Sequence, residues 1–276
     1  MLVPLLEAFE EKELGGKAVQ LGAALRAGLP VPPGFAIRYD VVTDTAGLPK
    51  LRAHLAEALA TLGGLVAVRS SAVGEDSATA SFAGQHATVL GVRDSAGMEA
   101  ALEEIVASSR SAAALAYRSR LGLDPDPRMG VVMQALVRAE VAGVLFSRHP
   151  ISGVDERVIE ATWGLGEAVV QGLVTPDRYR MDRGGRILER AAGDKDLAIQ
   201  WSEKGGTVEV CIEGDRVEAL CVSDPMLAEL EELTARCETT FGGTQDLEFA
   251  FHAGILYLLQ RRAITRGEPK GREPDC

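Results

Sequence analysis

From Asp246 to Phe251 the chain reads Asp-Leu-Glu-Phe-Ala-Phe, a strict polar–apolar alternation. A period of two belongs to a half-buried strand, so Asp246 and Glu248 share one face while Leu247, Phe249 and Phe251 share the other. His252-Ala253-Gly254 reads as a three-residue loop whose final glycine supplies the left-handed conformation, so a hairpin over 246–265 is predicted. Pairing Phe251 with Ile255 sets Asp246 opposite Gln260 and Glu248 opposite Leu258. Gln260 is then diagonal to Glu248, and Arg262 lies on the same face. Two acids, an amide and a guanidinium are thereby gathered on one ribbon. Oxygen ligands suit Mg²⁺ and an arginine fork suits a phosphate, but the same pattern also describes a half-exposed edge hairpin with a surface ion pair.

Upstream, residues 17–28 read as a short helix with Ala18, Leu21, Ala24 and Leu25 on one face. Pro30, Pro32 and Pro33 force an extended crossing into a strand at Phe35-Ala36-Ile37. A helix over 50–62 ends at Gly63-Gly64 and delivers a buried strand over 65–68. The small-residue stretch 70–84 reads as a loop, and a single helix capped by Ser95 is expected over 95–121. Strands follow at 130–134, 143–147 and 157–161, with further short strands joined by glycine turns over 177–222. A helix capped by Asp224, with Pro225 at its first position, runs to Phe241. Helices and short strands in this mixture indicate an α+β fold in lobes, divided near 125/126, with residues 266–276 as a charged tail or linker.

Composition excludes several classes of function. A net charge of −11 disfavours a nucleic-acid backbone as partner, since such surfaces are basic. No run of about 18 apolar residues exists to span a membrane, and the acidic start is no secretory signal. Cys211, Cys221, Cys237 and Cys276 have no CxxC spacing and no nearby histidine, so reduced thiols in a cytoplasmic protein are expected. His86 and His149 lack partners at metal spacing and read as structural, and no GxSxG is present.

Three further stretches bear on chemistry. Val68-Arg69-Ser70-Ser71, leading through Gly74-Glu75-Asp76 to Ser81-Phe82-Ala83-Gly84-Gln85, has the build of a phosphate cradle, or of a flexible surface loop. Leu14-Gly15-Gly16-Lys17 lacks the GxxxxGK[ST] spacing of a Walker loop, and its lysine either meets a phosphate or is solvated. Trp163-Gly164-Leu165-Gly166-Glu167 is a glycine-rich turn entering a helix, without the register of a dinucleotide fingerprint.

In order along the chain, these stretches resemble the ATP-binding domain of the phosphoenolpyruvate synthase and pyruvate phosphate dikinase family, which rifampin phosphotransferases share. The resemblance is carried by Gly15 to Gly22, Ala27 to Phe35, Val68 to Ala72, Ala80 to Gln85, Ala142 to Ser147, Trp163 to Glu167, Asp246 to Phe249 and Leu259 to Arg262. It spans residues 12–265, and each motif is weak alone.

The resemblance implies an ATP-grasp fold over 1–265, two lobes clasping ATP and Mg²⁺. It implies that Lys17 and Arg69 hold the phosphates and that Gly84 and Thr88 lie in a covering loop. Gln134 falls near the adenine, Glu248 and Gln260 bind metal or nucleotide with Asp246 as a weaker metal candidate, and Arg262 neutralises phosphate charge. Lys17, Arg69 and Arg262 are the expected catalytic cations. In the family, a histidine in a Thr-Cys-His motif on a swivelling domain takes the phosphoryl group and passes it to pyruvate or another small acceptor. None of His54, His86, His149 or His252 follows Thr-Cys. The start reads as natural and the end falls where longer relatives enter a linker. The expectation is therefore a module whose remainder was removed or is supplied by a partner polypeptide, as in split relatives such as phenylphosphate synthase. An antibiotic-type phosphotransferase half and a non-catalytic ATP-binding module are the alternatives.

Overall fold

Two antiparallel sheets face each other across a cleft in the computed structural model, which describes residues 2–42, 48–73, 87–120, 122, 124 and 128–264. The cradle loop 74–86, with Gly84 and His86, and the tail 266–276 lie outside the described residues. The first sheet has the spatial order β1 (Leu2–Pro4), β2 (Gly34–Ile37), β5 (Met129–Ala135), β3 (Val66–Ala72), β4 (Thr88–Val92). Helices α1 (Glu11–Leu14), α2 (Gly16–Arg26), α3 (Tyr39–Val42), α4 (Leu48–Thr61), α5 (Ser95–Ser109) and α6 (Ala112–Arg120) intervene along the chain. The second sheet has the order β13 (Ile255–Ile264), β12 (Thr244–His252), β6 (Val141–Phe146), β7 (Arg157–Trp163), β8 (Asp177–Met181), β9 (Ile187–Ala191). A separate ribbon pairs β10 (Leu197–Trp201) with β11 (Thr207–Cys211), and short α7 (Glu167–Val170) and long α8 (Asp224–Phe241) complete the fold. No described helix is long and apolar enough to cross a membrane.

The expected lobe boundary at 125/126 shifts. β5 belongs to the first sheet, hydrogen-bonded to β2 on one side and β3 on the other. Val131, Val132 and Met133 are all fully buried, and a strand apolar on both faces fits the middle of a covered sheet. Chain order alone does not show that a strand returns past a pair of helices to an earlier sheet.

The single helix expected over 95–121 is two helices. The break falls after Ser109, and the Ser111 hydroxyl accepts from the Ala114 amide at 3.2 Å to start α6. Asp94 rather than Ser95 caps α5, its Oδ1 accepting from the Gly97 amide at 2.8 Å. Likewise Ser223 precedes α8, while Asp224 is inside it and pairs with Arg190. β3 runs on through Arg69-Ser70-Ser71-Ala72, where a loop is expected from 70, because β5 pairs along its full length.

Two cores hold the layers. Met98, Leu102 and Ile105 of α5 and Leu51, Leu55 and Leu59 of α4 pack on Val66, Val68, Val131 and Met133. The larger core crosses between sheets: Leu14, Leu21, Ala36 and Val132 join Leu145, Leu247, Phe249, Phe251 and Leu258, with Leu227, Leu230 and Leu233 of α8 closing the other side. Under α8, the buried Arg157 donates to Glu231 (2.8 Å) and Glu238 (2.9 Å) of that helix.

Helix α2 is seated by close backbone approach. Gly15 has φ +82°, and a Cβ there would lie 1.8 Å from the Ser71 carbonyl oxygen. The Ser71 hydroxyl accepts from the Ala18 amide at 3.1 Å, an N-terminal cap supplied by a neighbouring strand. On the far flank of the cleft, the Gly206 amide at the β10–β11 turn donates to the Gly91 carbonyl of β4 at 3.0 Å. Gly15→Ala is expected to lower stability by about 2 kcal/mol or more, combining left-handed strain with the clash. Urea denaturation checks this, and a loss below about 0.5 kcal/mol would show that α2 can withdraw from β3 freely.

Candidate functional site

The cleft between the sheets has a volume of about 330 Å³, within the range of small-molecule sites. Lys17, Arg69, Thr88 and Gln134 line it from the first sheet and α2, Glu248, Gln260 and Arg262 from the second, and Glu167 from α7. Between these polar groups run Ala67, Leu136, Val137, Leu165 and Phe249. Two sheets closing on such a cleft form an ATP-grasp fold.

The hairpin delivers its polar face by a route that differs from the expected register. Ala253 and Gly254 both have positive φ (50° and 74°), so the turn has two residues and pairs His252 with Ile255. A mirror-type turn of this kind matches the natural strand twist, which outweighs the cost of left-handed alanine. Phe249 then faces Leu258, but Glu248 faces Gln260, leaving Leu259 as an extra residue in a β-bulge. Glu248 is therefore directly opposite Gln260 rather than Leu258, and Asp246 is opposite Arg262 rather than Gln260. Leu247, Phe249 and Phe251 are buried on the other face, as the alternation predicts.

The bulge has a use. Arg69, on β3 and only 8% exposed, donates through Nη1 to the Leu259 carbonyl at 2.6 Å. Its Nη2 donates to Glu248 Oε2 at 2.9 Å and to Gln260 Oε1 at 2.7 Å. Gln260 is 3% exposed, and its amide nitrogen has no hydrogen-bond partner among the described residues. Arg262 Nη2 stands 3.9 Å from the other Glu248 oxygen, Oε1.

Lys17 is buried at the start of α2 rather than solvated, with Nζ donating to the Ser70 carbonyl at 2.9 Å. Thr88 sits opposite Arg69 in the β3–β4 pairing. Gln134 is buried and its Nε2 donates to the Pro32 carbonyl at 3.0 Å, which ties the proline crossing to β5. Asp246 does not line the cleft, and Gly84 lies outside the described residues. Sequence reasoning gave Glu167 no role. It lines the cleft at the head of α7, and burial holds its carboxyl pKa above the ordinary range. The glycine-rich turn before it was the available signal, since Gly164 (φ +76°) bridges to Ile199 of β10 and turns the chain into α7.

Known proteins resemble this chain over most of its length. Residues 48–275 match the family described as pyruvate phosphate dikinase, AMP/ATP-binding domain. A probable phosphoenolpyruvate synthase of Methanothermobacter thermautotrophicus is 35% identical over 91% of this chain and 44% of its own length. A rifampicin phosphotransferase of Streptomyces sviceus is 33% identical over 94% of this chain and 35% of its own. The chain thus spans less than half the length of these relatives. A D-alanine–D-alanine ligase of Bacillus anthracis complexed with ATP is similar with a TM-score of 0.39 and 11% identity, covering 92% of this chain and 55% of that one. With residues 48–275 matched, more than three quarters of its length, the chain belongs to the pyruvate phosphate dikinase AMP/ATP-binding domain family.

Proposed function

We propose that residues 1–265 form the MgATP-binding half of a dikinase-type phosphotransferase, which phosphorylates a histidine on a separate swivelling domain. The observation that carries this reading is the meeting of Lys17 and Arg69 from the first lobe with Glu248, Gln260 and Arg262 from the closing hairpin in one cleft. Phosphoryl transfer needs little covalent help from the protein, and mostly positioning and charge compensation. Three cations around one cavity provide that compensation in a chain whose net charge is −11.

The residues divide the task. Lys17, fixed by the Ser70 carbonyl, presents its ammonium to the phosphates without rotamer freedom to lose. Arg69 and Arg262 flank Glu248 and offset charge that develops on the transferring group. Thr88 shields the phosphates, and the apolar stretch Ala135 to Val137 receives the adenine beyond Gln134, while Gly84 lies outside the described residues. Glu248 and Gln260 would hold Mg²⁺ through side-chain oxygens, whereas Asp246, the weaker candidate of the sequence, does not line the cleft. The donor set fits, since a carboxylate and an amide oxygen are hard ligands, and Mg²⁺ typically takes one or two carboxylates and completes its shell from substrate phosphates and water. When bound, the ion neutralises neighbouring phosphate oxygens.

The acceptor histidine lies on a partner domain or polypeptide, through which a small molecule such as pyruvate is reached. The net charge of −11 disfavours a nucleic acid as partner. A reducing cytoplasm suits Cys211, Cys221 and Cys237, which are unpaired. The similarity to a rifampicin phosphotransferase supports a second reading, in which the final acceptor is an antibiotic.

Isothermal calorimetry is expected to show magnesium-dependent uptake of adenine nucleotide by the folded chain; none at all would end the proposal. Incubation with labelled ATP and candidate histidine-domain proteins should leave one of them carrying acid-labile phosphate, and the small molecule it then modifies separates the two readings. Arg69→Ala and Glu248→Gln should each slow that transfer by about 10²–10³-fold. A loss under threefold in both would remove these residues from the site.

A further inference from the structure

We infer that Arg69 occupies the metal subsite of the nucleotide-free protein as a built-in cation, so that free divalent metal is refused until a nucleotide arrives. The inference rests on the proposed function, because it takes Glu248 and Gln260 as the metal ligands. Their two oxygens are not idle: Glu248 Oε2 and Gln260 Oε1 both accept from the same nitrogen, Arg69 Nη2, at 2.9 Å and 2.7 Å. One delocalised positive charge therefore already lies between the oxygens that a divalent ion would use. A second cation entering there would meet like-charge repulsion in a cleft where Arg69 is 8% exposed and little screened.

The arrangement also contains the means of release. Arg69 is held independently by Nη1 on the Leu259 carbonyl at 2.6 Å, and that carbonyl belongs to the bulged residue, which has no counterpart on β12. The guanidinium can thus keep one anchor while Nη2 gives up its two oxygens. Phosphate oxygens are a better partner for an arginine fork than a shared amide and carboxylate. A nucleotide entering beside Lys17 offers Arg69 that partner and frees Glu248 and Gln260 at the same moment. The Gln260 amide nitrogen, buried and unpartnered among the described residues, shows that the side chain is oriented by its oxygen alone, the atom a metal would use. Metal and nucleotide binding are then coupled through one residue, and by linkage each strengthens the other equally.

The test is direct binding of Mn²⁺ followed by electron paramagnetic resonance, which needs no turnover. Wild-type protein without nucleotide should take up Mn²⁺ weakly, and ATP should raise the affinity at least about tenfold. In the nucleotide-free state, Arg69→Gln should bind Mn²⁺ at least about tenfold more tightly than wild type, and adding Glu248→Gln should cancel the gain. Should Arg69→Gln fail to fold, Glu248→Gln in the otherwise wild-type chain decides. It should leave weak, nucleotide-free Mn²⁺ uptake unchanged while weakening uptake of MnATP. If Glu248→Gln lowers nucleotide-free uptake, the subsite is open in the absence of nucleotide and the inference is overturned. Equal nucleotide-free affinities for wild type and folded Arg69→Gln overturn it too, while Glu248-dependent MnATP binding leaves the proposed function standing. Loss of all MnATP binding overturns both.

Discussion

A single guanidinium joins the two sheets at the cleft. Arg69 sits near the middle of β3, yet every side-chain hydrogen bond it makes within the described residues ends on the β12–β13 hairpin. Charged hydrogen bonds of this kind contribute about 1.5–3 kcal/mol each, but burying the charge costs a comparable amount, so their net effect is on geometry more than on stability. What they fix is the spacing of the cleft. With Arg69 in place, Glu248 and Gln260 face Lys17 across a gap suited to a small anionic ligand, and the bulge at Leu259 is what allows the reach.

The larger core serves the same end. Because Leu21, Ala36 and Val132 pack with Leu247, Phe249 and Phe251, helix α2 is shared between the sheets instead of belonging to one of them. Lys17 stands at its first turn, and Gly15 and Ser71 lock that turn to the strand that carries Arg69. The two cations that reach the cleft from the first lobe are therefore positioned by one continuous piece of packing.

Much of this was legible in the residues, and the gaps have physical causes. The period-two pattern of 246–251 correctly separated a buried apolar face from a polar one, and helices 17–28 and 224–241 appear close to their expected limits. The pairing of Glu248 was not legible, because a turn of two residues in place of three and one bulged leucine each shift the register by one. β5 went to the wrong lobe since periodicity says how a strand is buried but not which sheet buries it. The split between α5 and α6 turned on a local serine cap at Ser111 within an otherwise unbroken helical pattern. Glu167 was overlooked as it stands alone in sequence, and only the folding of β7 against the β10–β11 ribbon brings it to the cavity.

The contact between Gly206 and Gly91 joins the β10–β11 turn to β4 through bare main chain, next to Leu90, which lines the cleft. Arg69 ties β3 to the β12–β13 hairpin, and this glycine pair ties β4 to the β10–β11 ribbon, so the first sheet meets the later part of the chain at two separate seams. The glycine seam rests on one main-chain hydrogen bond, on Arg93 donating to the Glu203 carbonyl, and on Leu90 packed with Leu165, Leu197 and Ile199. So close an approach needs a residue without a Cβ at Gly91: a side chain there would strike the Gly206 carbonyl and push the ribbon off β4.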